Sequence, residues 1–252
     1  MKETRIGALK FAGRVLLDYC RQVHHVSVKE SRYSIVTEVD LTSEKYLLKS
    51  FKLNWTKFII LSFAILMNCH EQAFKPEQFE KSIITREQWG STPADSTIES
   101  HTIARITLHH GGVTFPDERD PIEYLQSLQK WSRTEKSWID NPYHYVIDLR
   151  GRIYEARPIQ YPGDTNTDYN PRGHALICVV GNYEQRKPNR KQLAAIIQLM
   201  AWLCWKYNLS PDTIKGHRDY TQQTVCPGKY LNEYLTSGYF KQKVEKLLTP
   251  AH

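Results

Sequence analysis

Three patterns in this chain predict an α/β fold with a mixed central β-sheet flanked by helices. Ala175-Leu176-Ile177-Cys178-Val179-Val180 is apolar without alternation, as expected of a central strand covered on both faces. Leu193, Ile196, Ile197, Met200, Leu203, Cys204 and Tyr207 form a stripe at the helical period. From Ile84 onward, strand, helix, hairpin, strand and helix signals follow one another, which implies helices packed on the faces of one sheet. A single domain over 84–250 is expected, preceded by an unrelated N-terminal segment.

That segment reads in three parts. Ser34-Ile35-Val36-Thr37-Glu38-Val39-Asp40-Leu41-Thr42-Ser43-Glu44-Lys45 resembles the opening of inositol-monophosphatase-type enzymes. The later metal-binding carboxylate motifs of that family are absent, so no phosphatase site can be assembled. Residues 1–51 are therefore expected to be a poorly ordered remnant of a gene fusion or of a start codon placed too early. Phe58 to Met67 is an uncharged apolar run preceded by Lys52 and Lys57. It is too short to cross ~30 Å of hydrocarbon at about 1.5 Å per residue. Its length fits the h-region of an export signal, the alternative being a short buried helix or strand. Leu66-Met67-Asn68-Cys69 resembles a lipoprotein processing box, although Asn68 is larger than the small residue usual there. A signal-like segment over 52–69 with lipidation of Cys69 is the expectation. The polar residues 70–83 read as a linker.

Within the domain, Ile103 to Leu108 reads as a short strand ending in imidazoles. Asp120-Pro121-Ile122-Glu123 starts a helix, with Asp as N-cap, Pro at N1 and Glu reaching back from N3. Its apolar positions Ile122, Leu125, Leu128 and Trp131 share roughly one face. Tyr143 to Asp148 and Arg152 to Glu155 flank Leu149-Arg150-Gly151, a hairpin with Gly at positive φ. Asn189, with Gln192 at N3, caps the helix that carries the apolar stripe.

A chain of 252 residues can hold one ample core or two small ones. Apolar content of 40% and charged content of 24% belong to an ordinary soluble globular protein. The net charge of +7 suits an anionic partner. Basic residues are spread along the chain and no nucleic-acid motif is present, so nucleic acid is not an expected partner. The five cysteines have no CxxC pair or framework-like spacing, which argues against a disulfide scaffold. Cys178 and Cys204 fall on apolar elements and read as small buried hydrophobes.

The chemistry gathers at three residues. His109 lies in Ile106-Thr107-Leu108-His109-His110-Gly111, while His217 and Cys226 share the stretch from Gly216 to Gly228. Two neutral imidazoles and a thiolate suit a borderline-soft ion such as Zn²⁺. Three protein ligands leave a fourth position open for water or substrate, whereas a structural site closes all four. Successive strand side chains point to opposite faces, so His109 and His110 cannot both easily enter one site. Spacing alone does not choose between them. His217 and Cys226 are too far apart for one helical face. A loop must fold back between them, with Pro227-Gly228 as turn chemistry after the cysteine.

Leu108-His109-His110, Asn141-Pro142-Tyr143-His144-Tyr145, Val180-Gly181-Asn182-Tyr183, Gly216-His217-Arg218-Asp219 and Thr224-Val225-Cys226-Pro227-Gly228 occur in that order. Over roughly Ile84 to Leu235 the chain thereby resembles the zinc-dependent N-acetylmuramoyl-L-alanine amidases, the family that includes peptidoglycan-recognition proteins and lysozyme-type phage amidases. The resemblance implies a single catalytic α/β domain with Zn²⁺ held by His109, His217 and Cys226. It makes Tyr143 the catalytic tyrosine, which orients water or stabilises an oxyanion. Thr224 stands where recognition proteins have Thr and some phage members Lys, and is implied to be a supporting donor. Peptidoglycan or muropeptides are the implied partner, and the amide between N-acetylmuramic acid and L-alanine the implied bond.

The cytosolic muropeptide amidases of this superfamily place Glu where Cys178 stands and Asp where Cys226 stands, which argues for the recognition-protein-like branch. Receptors that bind without cutting typically lose the Cys ligand, so Cys226 favours an enzyme over a non-catalytic binding module. Trp138, Tyr161, Tyr169 and Arg157 are candidates for stacking and carboxylate contacts with a glycopeptide. His174 either lines the groove or is a solvated loop residue, and His144 matches no ligand position. A monomer in the cell envelope is expected, periplasmic or membrane-anchored through Cys69 if the internal signal-like segment is used, and cytoplasmic otherwise.

Overall fold

The structure, a computed structural model, describes residues 74–93 and 98–249. The phosphatase-like stretch, the signal-like segment and Cys69 lie outside the described residues. Five strands, β1 (Arg105–His110), β2 (Tyr145–Ile147), β3 (Ile153–Glu155), β4 (His174–Val179) and β5 (Ile214–Gly216), form one sheet in the order β3-β2-β4-β1-β5. β1 runs parallel to β4 and β5, and β2 parallel to β4, while β2 and β3 form an antiparallel hairpin. The sheet is mixed, as the pattern predicts. β4 takes the central place and buries every residue, which is what an apolar run without alternation requires.

The helices are α1 (Pro76–Glu80), α2 (Pro121–Lys136), α3 (Arg190–Tyr207), α4 (Lys229–Thr236) and α5 (Tyr239–Leu248). Pleating divides the sheet into two faces. Ile106, Leu108, Ala175, Ile177 and Val179 join Ile196, Leu199, Met200 and Leu203 of α3 and Phe240 and Val244 of α5 in the larger core. Each of these side chains other than that of Ala175 contributes ~1.5–3 kcal/mol by leaving water. Thr107, His109 and Cys178 alternate with them and point to the other face. There Cys178 packs with Val146, Tyr154 and Leu125 of α2 in a smaller cluster. α3 begins in the expected capping box: Asn189 accepts from Lys191 N and Gln192 N, and the Gln192 side chain accepts from Asn189 N.

Four local readings are corrected. β1 starts at Arg105 and runs through His110, so both imidazoles belong to the strand, paired in register with Cys178 and Val179. The ladder, and not the apolar run, sets the strand's ends. α2 buries Leu125, Gln129 and Ser132, whereas Trp131 is 40% exposed. Its inward side meets polar groups: Gln129 Nε2 donates to Asp140 Oδ1 at 2.7 Å, and Asp140 pairs with Arg86 at 2.8 Å. Asp120 caps α2 through Ile122 N, but no reciprocal bond from Glu123 is among the described hydrogen bonds. Finally, the stretch read as a linker contains α1, whose Phe79 is buried with its ring 6.1 Å from that of Trp202. Glu80 is ion-paired with Lys206 of α3. One apolar residue in a polar five-residue helix leaves no periodic trace in the sequence.

Candidate metal centre and groove

His109 sits near the carboxyl end of β1, and His217 follows directly on the carboxyl end of β5. The strand ends are where an open α/β sheet exposes its crevice. His217 opens a 3-10 turn that Asp219 stabilises by accepting from Gly216 N at 2.7 Å. A Cβ on Gly216 would come within 2.8 Å of Pro227 Cδ, so the glycine lets the returning loop close on the sheet. Arg218 N donates to Cys226 O at 2.9 Å, and Thr224 Oγ1 accepts from Cys226 N at 3.0 Å. These bonds bring the thiol back beneath His217.

Cys226 Sγ lies 3.7 Å from His109 Nδ1 and accepts from His110 N at 3.4 Å. The ligating atoms of His109, His217 and Cys226 all fall within 4.8 Å of one another, and all three residues are buried. His110 points the opposite way, where its Nδ1 accepts from Tyr183 N at 3.2 Å. Alternation along β1 therefore sends the first imidazole of the pair to the trio. Each of the two converging rings also presents Nε2 to a hydroxyl: His217 to Thr167 at 2.7 Å, His109 to Tyr169 at 3.4 Å.

Burial, followed by the neighbouring His217 and other imidazoles, holds His109 well below the ordinary imidazole range. Burial and then His110 bring His217 down to about 4. Both rings are therefore neutral at pH 7, with a lone pair to offer. Burial pushes the Cys226 thiol up to about 12, opposed only by the His110 N–H, so a thiolate here needs a cation beside it. The Tyr143 ring lies 5.2 Å from that of His109. Burial and then the nearby Cys178 and Cys226 raise its phenol well above the usual value, so the hydroxyl stays protonated as a donor.

A groove of about 550 Å³ runs over the trio. Its lining includes His109, Tyr143, His217, Thr224 and Cys226 together with Leu128, Trp131 and Trp138. Leu128 and Trp131 of α2 thus form the groove's apolar wall. Trp138 lines the groove, where a stacking role needs it, whereas Tyr169 is not among the lining residues and packs against His217 with ring centroids 5.0 Å apart. Arg157 does not face the groove. It is 1% exposed, donates to Asn141 O and Asp140 O, and pairs with Asp164. Tyr161 is not among the lining residues and instead accepts from His144 through its carbonyl at 2.9 Å. His174 is neither a groove residue nor solvated: it is buried in β4, with Nδ1 2.7 Å from Thr107 Oγ1. Thr165, Thr167 and Asp168 drew no notice in the sequence. The only available signal was a hydroxyl-rich loop between two strands.

A family model described as N-acetylmuramoyl-L-alanine amidase matches residues 99–229. The chain is 28% identical over 159 residues to peptidoglycan recognition protein 1 of Mus musculus, a match that covers 62% of this chain and 86% of that protein. It is 26% identical over 161 residues to N-acetylmuramoyl-L-alanine amidase of Homo sapiens, covering 61% of this chain and 28% of that one. The crystal structure of Drosophila peptidoglycan recognition protein SD superposes with a TM-score of 0.54 at 27% identity, over 60% of this chain and 92% of the other.

Proposed function

The chain belongs to the N-acetylmuramoyl-L-alanine amidase family, and on that footing we propose that it is a zinc-dependent amidase. It cuts the amide joining the lactyl group of N-acetylmuramic acid to the L-alanine of the peptide stem. The observation that carries this reading is the convergence of His109, His217 and Cys226 in the lining of one groove.

The donor set fits Zn²⁺. Two neutral imidazole nitrogens and one sulfur, all from residues that line the groove, are a complement that would hold a catalytic zinc. A divalent cation would also supply the charge that a thiolate at Cys226 needs. When bound, zinc supplies Lewis-acid polarisation of a carbonyl and acidifies water toward pKa ~7.

The chain's own groups do the rest. Tyr143 keeps its proton and can donate to an oxygen that gains negative charge as the amide is attacked. Thr224 Oγ1 accepts from Cys226 N, which leaves its own proton to donate into the groove. As a neutral hydroxyl it carries no charge and supports rather than dominates. Leu128, Trp131 and Trp138 offer apolar and aromatic surface to a glycopeptide in the same groove.

A second reading, a receptor that binds peptidoglycan fragments without cutting them, is favoured by the likeness to named recognition proteins. Cys226 favours the enzyme. Zinc analysis of the purified chain, with mass analysis of treated muropeptides, separates the two. Released stem peptides with a free L-alanine amine are expected. Tight muropeptide binding without release would establish the receptor instead.

The proposed location is the cell envelope, reached through residues 52–69 and acylation of Cys69, and it rests on the sequence pattern alone. One acyl chain gives only marginal membrane binding, so stable anchoring needs the further chains of a mature lipoprotein. Fractionation of wild type beside Cys69→Ala tests it. Membrane association that survives the substitution removes the lipoprotein.

A further inference from the structure

We propose that residues 164–169 form a strap that positions the metal ligands, with Thr167 and Tyr169 selecting the coordinating nitrogen of each imidazole. The inference rests on the zinc reading above and concerns how the site is held.

The strap is anchored before it reaches the site. A Cβ on Gly163 would lie 2.4 Å from Leu176 Cδ1 and 2.5 Å from Pro142 O, so only glycine lets the chain pass this close to β4. Asp164 N donates to Pro142 O at 3.1 Å, and its carboxylate pairs with the buried Arg157. Beyond the site the strap is buckled to the ligand loop. Asp168 Oδ1 accepts from Thr221 Oγ1 at 2.6 Å, and Asp168 N donates to Gln223 Oε1 at 3.0 Å. Thr221 and Gln223 lie between His217 and Cys226, so the buckle holds the segment that carries two of the three donors.

Between these fixed ends the hydroxyls meet the rings. A neutral imidazole has one N–H and one lone pair, on different nitrogens. With Nε2 of His217 2.7 Å from Thr167 Oγ1, an N–H there donates to the hydroxyl and leaves the lone pair on Nδ1. Thr165 Oγ1 backs this contact: it lies 2.8 Å from Thr167 Oγ1 and 3.3 Å from the same His217 Nε2, and it accepts from Thr167 N at 3.2 Å. Tyr169 stands to His109 Nε2 as Thr167 does to His217, at the longer distance of 3.4 Å. The nitrogen so freed on His109 is Nδ1, the atom 3.7 Å from Cys226 Sγ. Partners of this kind fix ring orientation and raise ligand basicity, and their removal typically weakens metal binding ~10–100-fold.

The test is zinc affinity of the full chain, measured by competition with a chromogenic chelator. Thr167→Val keeps shape and removes the hydroxyl, so affinity should fall ~10–100-fold while unfolding of the zinc-free protein stays unchanged. Thr167→Ser should restore affinity to near wild type, a rescue that a packing role would not give. Tyr169→Phe should lose less, in keeping with its longer contact. Long-range nitrogen–proton NMR of the zinc-loaded chain should show His109 and His217 protonated at Nε2. A wild type that takes up no zinc overturns the zinc reading and the strap together. A wild type that binds zinc beside an equally tight Thr167→Val, or an Nδ1-protonated His217, overturns the strap alone. Should Thr167→Val fail to fold, the serine rescue and Tyr169→Phe decide in the same way.

Discussion

Along β1 and β4, one set of alternate residues meets the apolar stripe of α3, and the other carries imidazoles, a hydroxyl and a thiol beside a smaller apolar cluster. Ile106, Leu108, Ala175, Ile177 and Val179 make the first face. Thr107, His109, His174, Leu176 and Cys178, on the same two strands, make the second. The apolar face needs only volume and shape. The polar face needs partners, because an unpaired buried polar group costs ~1–3 kcal/mol. Thr107 and His174 satisfy each other, and His144 bonds Leu176 N and Tyr161 O. The comparison teaches that stability and chemistry are separated by a pleat of one sheet, without any separation in sequence.

Substitutions should therefore sort by face. The largest effect is expected at Cys226→Ser, which should strip zinc and abolish muropeptide hydrolysis while far-ultraviolet dichroism stays that of the wild type. Near-normal turnover would remove the trio from the chemistry. Tyr143→Phe should retain zinc yet lower the rate by ~10²–10³, the loss typical of one preorganised donor. Unchanged kinetics would assign the ring to packing. On the opposite face, Leu199→Ala should destabilise by ~2–5 kcal/mol in urea unfolding, with turnover per folded molecule retained. A collapse of kcat in that variant would break the separation.

Acid should act through the polar face. Burial first, then nearby charges, lowers His144 to about 3 and His174 to about 4, against 6.5 for the free side chain. Unfolded chains thus take up protons near 6.5 that folded ones refuse until pH 3–4. Stability of the zinc-free protein should fall as pH drops through that window and level off below it. Urea midpoints that stay flat from pH 7 to 4 would show that these rings are not held neutral. The smallest effect is expected at Thr224→Ala, with a rate loss well short of that in Tyr143→Phe, since its hydroxyl only supports. A larger loss at Thr224 would reverse the two roles.

Much of this was legible in the sequence because it is local or periodic. The capping box of Asn189 and Gln192, the stripe of α3, the buried run of β4 and the hairpin at Gly151 each lie within one short window. The ordered motifs carrying His109, Tyr143, His217 and Cys226 were legible too, and alternation alone established that His109 and His110 part company. What alternation could not decide was which of the two enters the site. That depends on which face of β1 the α3 core occupies, a matter of how the sheet is covered.

The remaining decisions were tertiary. Arg157 had the charge to meet a substrate carboxylate, yet it is enclosed by Asn141, Asp140 and Asp164. α2 turned Gln129 inward because Asp140 lies across from it, and Leu128 and Trp131 became groove wall. The strap from Asp164 to Tyr169 holds the ligand rings through hydroxyls far from them along the chain. A hydrogen bond between distant residues imposes no spacing on either one. The sequence by itself determined the sheet, its central strand and the donors that converge. Only the folded chain decided which face they share and what holds them there, because those depend on direction in space and not on distance along the chain.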